Sequence, residues 1–170
     1  MKKLGISGWV ILCLTSIMIA VYMLSPVARA QLIFFADDGE HSTILPVSVG
    51  GKVAIGFRHS LYHVEQTEYY AVQDRSFLLE SVYFGSFDAL NYYDPTGEWP
   101  RQPKGAGYEI FPSSKLEEVN FAIARSTPVW LLVADEPPIF LTNIPVDFTR
   151  FSLRVIRRPR VQLLLGDLRP

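Results

Sequence analysis

Residues 57–70, FRHSLYHVEQTEYY, form the densest group of side chains in this sequence that could perform chemistry. Two histidines, His59 and His63, stand near two glutamates, and Ser60 directly follows the first histidine. Imidazole and carboxylate groups are common zinc ligands, and serine with histidine is a common nucleophilic pair. Polar turns between strands use the same residue types. The surrounding sequence therefore has to distinguish a metal site, a catalytic dyad and a turn.

A shared metal ion would need these side chains to converge on one point. On a straight strand His59, His63 and Glu65 would face the same way, because strand side chains alternate between two faces. The flanking residues alternate as strands do, which favours a turn within residues 60–66 between two antiparallel strands. A metal would then need a ligand from elsewhere, and His41 is the one other imidazole in the sequence. We therefore predict no metal ligand and no cofactor.

Nucleophilic catalysis is disfavoured by the same strand geometry. His59 and Ser60 are adjacent, so on a strand they point to opposite faces, and no G-x-S-x-G elbow is present. We predict no catalytic residue and a protein that is not an enzyme. The simpler interpretation is that His59 and Ser60 satisfy backbone groups at a strand end, while Glu68 pairs with Arg58 or His59 across the hairpin.

Short segments rich in β-branched and aromatic residues follow one another from residue 31 onward. In KVAIGFRH, for example, Val53, Ile55 and Phe57 share one face of a strand. The predicted strands are residues 31–35, 44–49, 52–59, 67–73, 76–84, 119–125, 129–134, 138–143, 151–156 and 161–165. Helical structure is expected only at 113–119, where a serine could cap a turn. The pattern predicts a single all-β domain, an antiparallel β-sandwich or barrel.

The longest interruption between predicted strands is residues 88–109, whose prolines and glycines argue against regular structure. Tyr92, Tyr93 and Trp99 argue against plain disorder, because large aromatic faces prefer to be buried. We expect a loop that either covers the core or contacts a ligand or partner.

A second short motif, Gly105, Ala106 and Gly107, closes this loop. Glycine permits tight turns and the close approach of another chain or ligand. The motif lacks the lysine and the spacing of a phosphate-binding loop, so a tight turn is the expected structure.

The N-terminus predicts export. Lys2 and Lys3 precede residues 4–24, an apolar run without charge that is long enough for a transmembrane helix. Ala28 and Ala30 then form an A-x-A cleavage motif. We expect the chain on the periplasmic side of the cytoplasmic membrane, either anchored there by this helix or released after cleavage near Ala30.

Composition sets the remaining bounds. The chain has 170 residues, of which 49% are hydrophobic, so it can build one domain with a proper core. We place a signal peptide or anchor at residues 1–30 and the all-β domain at 31–170. The formal net charge of −1 gives no reason to expect nucleic-acid binding. The single cysteine, Cys13, lies in the apolar run, so the exported part can form no disulfide.

Taken in order, these segments resemble the DUF1850 family of small exported bacterial proteins. The segments that carry the resemblance are LPVSVGGKVAIGFRHSLYHVEQTEYYAV (45–72), SFLLESVYFGSF (76–87), GAGY (105–108), FAIARSTPVWLLV (121–133) and FSLRVIRRPRVQLLL (151–165). In the family an H-S pair ends one strand, an acidic residue with an aromatic opens the next, and a G-A-G turn comes later. The residues at those positions here are His59, Ser60, Glu68, Tyr70, Gly105, Ala106 and Gly107. The sequence departs from the family in residues 84–104, which separate the G-A-G turn from the second strand pair.

The resemblance also implies a function. The family is often encoded beside tripartite ATP-independent periplasmic (TRAP) transporters with TAXI-type solute receptors. It therefore implies a non-enzymatic envelope accessory protein that contacts the permease or the receptor through the residues just named. Secondary candidates for this surface are His63, Glu65, Tyr92, Tyr93 and Trp99. Two alternatives stay open: a domain that binds a small carboxylate or metal ion with His59 and Glu68 in the mouth of the sandwich, and a metal-dependent hydrolase.

Overall fold

The computed structural model describes residues 6–36, 39–122, 127–134, 136–141 and 148–166. The helices are α1 (Ile6–Leu24), α2 (Phe87–Tyr93) and α3 (Arg160–Gly166). The strands are β1 (Pro26–Ala36), β2 (Gly39–Ser48), β3 (Lys52–Arg58), β4 (Glu65–Val72), β5 (Phe77–Phe84), β6 (Arg101–Lys104), β7 (Gly107–Ile110), β8 (Ser114–Leu116), β9 (Glu118–Ala122), β10 (Val129–Val133), β11 (Ile139–Phe140) and β12 (Phe148–Pro159). The prediction of a mostly antiparallel β protein with an N-terminal helix is confirmed.

The strands form two sheets. The smaller has four strands in the order β2-β1-β12-β9, and the larger follows the order β11-β10-β3-β4-β5-β7-β6, with β8 beside β5. Both sheets contribute side chains to one hydrophobic core, including Leu32 and Phe151 from the small sheet and Ile55, Phe84 and Leu131 from the large one. Burying one such side chain contributes roughly 1.5–3 kcal/mol relative to leaving it exposed. Shared burial between two sheets is consistent with the predicted β-sandwich.

The chain divides into two compact units. One contains Ala28–Ile156, and the other contains Met1–Val27 with Arg157–Pro170. In the second unit Arg160 donates a hydrogen bond from its guanidinium to the carbonyl oxygen of Tyr22, at 3.3 Å. The last carbonyls of a helix have no partner within the helix, so Arg160 caps the C-terminal end of α1.

No helix among the described residues combines the length and the apolarity that crossing a membrane requires. The predicted transmembrane anchor at residues 4–24 therefore gains no support from α1, and the expected periplasmic location stays a prediction. Lys2 and Lys3, which oriented that prediction, lie outside the described residues.

Three expectations about secondary structure were wrong. Residues 161–165 are helical in α3, because a mostly apolar segment of five residues fits a short helix as well as a strand. The helical turn expected at 113–119 is replaced by β8 and the start of β9, because pairing of Ser114–Leu116 with β5 overrides the local capping preference. The ends of the predicted strands 119–125 and 138–143 lie outside the described residues.

The third error concerns the loop at 88–109, which contains α2, β6 and β7. Ser86 caps α2 by accepting a hydrogen bond from the backbone N–H of Ala89 at 3.2 Å. Asp88 lies in the first turn, where its charge suits the helix dipole. Ser86 and Asp88 were therefore a readable helix-start signal that the proline and glycine content of the segment concealed.

Candidate functional site

One end of the large sheet gathers most of the predicted site residues. β3 and β5 finish where β4 and β7 begin, since the register pairs Arg58 with Glu65 and Phe84 with Tyr108. The turn at residues 59–64 and the Gly-Ala-Gly turn therefore lie at the same end, which we call the turn end. α2 follows β5 there as well. The sheet thus brings together motifs that lie far apart in the sequence.

His59 organises the turn between β3 and β4. Its Nδ1 accepts hydrogen bonds from the backbone N–H groups of Leu61, at 3.2 Å, and Tyr62, at 3.4 Å. Its backbone N–H donates to the carbonyl of Val64, and its carbonyl accepts from His63. An Nδ1 that accepts must be unprotonated, and burial lowers the pKa of His59 in agreement. The predicted turn, with His59 satisfying backbone groups at a strand end, is confirmed, but the side chain of Ser60, expected to do the same, forms no hydrogen bond to the described residues and is exposed.

Three rings meet on the outside of this turn and form what we call the aromatic cluster: His59, Tyr62 and Tyr92. The ring centroids lie 5.2 Å apart for His59–Tyr62, 5.8 Å for His59–Tyr92 and 6.0 Å for Tyr62–Tyr92. His59 is buried, whereas Tyr62 is 38% and Tyr92 61% exposed. Ser60, beside them on the turn, is exposed as well. The cluster thus presents two tyrosine rings to solvent over a buried imidazole.

Glu68 is buried on the core face of β4. Its carboxylate accepts hydrogen bonds from Gln66 Nε2, at 3.1 Å, and from the hydroxyl of Tyr70. The structure therefore corrects the expected pairing with Arg58 or His59, because Glu68 alternates inward with Gln66 and Tyr70. Burial raises the pKa of Glu68, and its two hydrogen bonds offset this only in part.

Trp99 packs against the core, and Tyr93 contacts buried Phe84 with part of its ring while staying 37% exposed. The Tyr93 ring lies 5.2 Å from that of Phe84 and 5.9 Å from that of Trp99, and Trp99 packs against the core cluster. Burial, followed by the nearby charge of Glu68, raises the pKa of Tyr93 to about 12. Trp99 thus covers core, as the first interpretation expected, whereas Tyr92 is exposed and its contact with a ligand or partner stays a prediction.

The Gly-Ala-Gly motif is the tight turn that the sequence predicted. It joins β6 to β7, with Gly105 at φ +59° and Ala106 exposed. A Cβ on Gly107 would collide with the carbonyl oxygen of Phe84, so β7 needs glycine there to approach β5. Gly107 thus serves strand packing.

The remaining candidates, His63 and Glu65, take part in local contacts. The carbonyl of His63 accepts a hydrogen bond from Arg58 Nε at 2.9 Å, and Glu65 accepts one from the hydroxyl of Thr67 at 3.1 Å. Among the described residues, no three side chains of histidine, cysteine, aspartate or glutamate are grouped so that they could share a metal ion.

A pocket at the turn end was missed by sequence reasoning. It has a volume of about 400 Å³ and opens between β3, β9 and β10. The residues that line it are Phe57, Arg58, Ser60, Phe121, Ala122, Thr127 and Val129. Its position depends on the packing of β9 against β3, which no local pattern specifies. The one available signal was Arg58, a charge that directly follows an apolar strand.

These features define the class of the molecule as a mostly antiparallel β protein with a sandwich-like core and an elaborated turn end. Comparisons with protein-family models, with curated proteins and with solved structures find no match for the chain. The resemblance to the DUF1850 family therefore stays a prediction, which these comparisons neither support nor refute.

Proposed function

We propose that this chain is a non-enzymatic envelope accessory protein that binds a component of a TRAP-TAXI solute transporter through the aromatic cluster. The observation that carries the proposal is the exposure of Tyr62 and Tyr92 side by side at the turn end. Tyrosine is enriched at protein interfaces because it buries a large rigid ring while its hydroxyl can still form a hydrogen bond. Two adjacent exposed tyrosines are thus better suited to a partner's surface than to solvent.

The cluster is also held in place before any partner arrives. The Nδ1 of His59 accepts two backbone N–H groups of the turn, and Tyr92 is carried by α2, which Ser86 caps. Binding therefore orders few additional groups, which reduces the entropy that association loses. A pre-organised aromatic surface supports a specific contact that can still be modest in affinity.

The identity of the partner is the part of the proposal that depends on the DUF1850 resemblance. The candidates are the TRAP permease and the TAXI-type receptor. The proposal includes export of the β-domain to the periplasmic side, either attached to the inner membrane or released after cleavage near Ala30. In that compartment the turn end would meet both candidates.

A pull-down tests the proposal. The full-length tagged chain is produced together with a TRAP permease and a TAXI-type receptor, and complexes are recovered in mild detergent. We expect one of the two to be retained, and the Tyr62→Ala/Tyr92→Ala double variant to lower recovery on the order of tenfold or more, as for interface hot spots. Phe140→Ala is the matched control, because Phe140 is a 44% exposed aromatic outside the cluster. Recovery of neither protein, or equal losses in both variants, would contradict the proposal.

A further inference from the structure

We propose that the pocket at the turn end is a binding site for a small amphipathic carboxylate, an acid with one carboxyl group on an apolar aromatic or branched aliphatic body. This site is separate from the transporter contact, because no member of the aromatic cluster lines it. It also differs from the ligand site expected from the sequence, which relied on His59 and Glu68. Neither of these side chains reaches the pocket, whereas Arg58 does.

The apolar half of the pocket comes from both sheets. Phe57 on β3 meets Phe121 on β9 edge-to-face, with centroids 5.9 Å apart, and Val129 on β10 completes the wall. Phe121 in turn stacks on Phe151, with centroids 5.2 Å apart and an interplanar angle of 8°. Ring-to-ring support on both sides fixes the wall, so a ligand's apolar body would meet a preformed surface. The volume of about 400 Å³ falls within the range of roughly 300–1,000 Å³ that is typical of small-molecule sites.

The polar rim determines the chemistry of the ligand. The described residues that line the pocket include one cation, Arg58, and no acidic side chain. Arg58 Nε donates to the carbonyl of His63 at 2.9 Å, which orients the guanidinium while its Nη atoms carry further donors. A guanidinium matches a carboxylate in charge and planar shape, and Ser60 and Thr127, which each carry a hydroxyl, also line the pocket. A positive charge beside an apolar wall thus favours an acid with an apolar body over its neutral analogue, which cannot pair with Arg58, and over an acid that has no apolar body.

The test uses three probes and the full-length chain in a nonionic detergent. The probes are 3-phenylpropanoate, its neutral match 3-phenylpropanamide, and succinate, which lacks an apolar body. By isothermal titration we expect 3-phenylpropanoate to bind with a dissociation constant on the order of 0.1–1 mM, as is usual for a ligand of this size. The amide should bind at least about tenfold more weakly, because it loses the charge-assisted hydrogen bonds. No detectable binding of the acid, or equal binding of acid and amide, would overturn the proposal.

Two pairs of variants locate the site. Arg58→Gln should weaken binding of 3-phenylpropanoate about tenfold, whereas Arg75→Gln, at an exposed arginine outside the pocket, should not change it. Since Arg58 also supports the turn, Thr127→Trp provides an independent check: Thr127 lines the pocket and is half-buried, and a large ring there should fill the pocket and abolish binding. Asn120→Trp places the same ring on the exposed face of β9, opposite to Phe121, and should bind like the parent. Undiminished binding by a folded Thr127→Trp variant would show that the pocket is not the site.

Discussion

Two glutamates in the large sheet are similarly inaccessible to solvent but differ in the charge of their hydrogen-bond partners. Glu68 on β4 is 8% exposed and faces the core, whereas Glu109 on β7 is 6% exposed and faces the other side of the sheet. The partners of Glu68 are neutral, namely Gln66 Nε2 and the Tyr70 hydroxyl. The carboxylate of Glu109 accepts instead from a cation, Lys104 Nζ, at 2.6 Å, and from the hydroxyl of Ser81 at 2.9 Å. Lys104 also lies over the Tyr69 ring, 5.0 Å from its centroid.

The pKa values of the two carboxyl groups shift in opposite directions. Burial raises the pKa of Glu68, and hydrogen bonds from Tyr70 and Gln66 do not reverse the shift. Burial also acts to raise the pKa of Glu109, but the hydrogen bonds from Lys104 and Ser81, together with the charge of Lys104, bring it below its ordinary value. A buried carboxylate is therefore tolerated in its charged form where a cation shares the site, and disfavoured where only neutral donors do.

Removing a hydrogen-bond donor to Glu68 should have the largest effect on stability, and it tests the comparison of the two glutamates directly. Tyr70→Phe keeps the ring that packs on Phe77, with centroids 6.1 Å apart, but removes the hydroxyl. We expect the free energy of unfolding to fall by about 1–3 kcal/mol, because the buried carboxyl of Glu68 then loses one of its two hydrogen-bond donors and keeps only Gln66. Urea denaturation measures the change. Tyr69→Phe, on the opposite face of the same strand, should change stability by less than about 0.5 kcal/mol. Similar losses in the two variants would mean that the hydroxyl of Tyr70 does not support Glu68.

A smaller effect, with a distinctive pH dependence, should follow from Glu68→Gln. The folded pKa of Glu68 lies above its ordinary value of 4.5, so the folded state binds more protons and stability falls as pH rises from 4.5 through the folded pKa. Glutamine cannot ionise, so the variant should gain about 2–4 °C in Tm at pH 8, which is about 1 kcal/mol for a protein of this size. At pH 4 it should gain nothing. Thermal unfolding followed by circular dichroism measures both values.

Glu109→Gln is the matched variant for this test. Since the folded pKa of Glu109 is depressed, its carboxylate stabilises the protein above 4.5, so the substitution should lower Tm at pH 8. Changes in Tm of opposite sign for the two variants would support the proposed difference between the two glutamates. The same sign in both would show that the cation at Glu109 makes no difference.

Local patterns were sufficient to predict most of the strands. β3 could be predicted because the large apolar residues Val53, Ile55 and Phe57 alternate with smaller or polar residues. Every second residue of a strand faces the same side of the sheet, so this alternation indicates a strand with one apolar side. The Gly-Ala-Gly turn could be predicted because its backbone needs glycine at Gly105. The error at residues 161–165 arose because a short apolar run carries no period that separates a helix from a strand.

The candidate site could be predicted only in its local part. The turn at residues 59–64 follows from the polar residues between two alternating segments. The burial of Glu68 and the pocket beside Arg58 do not follow from the local sequence. Both depend on which distant strands become neighbours in the fold. Phe121, for example, reaches Phe57 only after the two sheets have packed. The partners of Glu109 divide in the same way: Lys104 is five residues away across the Gly-Ala-Gly turn, whereas Ser81 reaches Glu109 only after β5 pairs with β7.

The smallest expected effect is the loss of the cation at Glu109. Lys104→Met keeps an apolar stem beside Tyr69 and should lower the free energy of unfolding at pH 7 by about 0.5–1 kcal/mol, a modest value because Lys104 is 45% exposed and solvent screens the pair. The loss should shrink as pH falls below 4.5 and through the lower folded pKa of Glu109, where both forms carry a neutral carboxyl. Urea denaturation at pH 7 and pH 3 measures it, with Lys115→Met at an exposed lysine on β8 as control. Equal losses at both pH values would mean that Lys104 acts through packing and not through its charge.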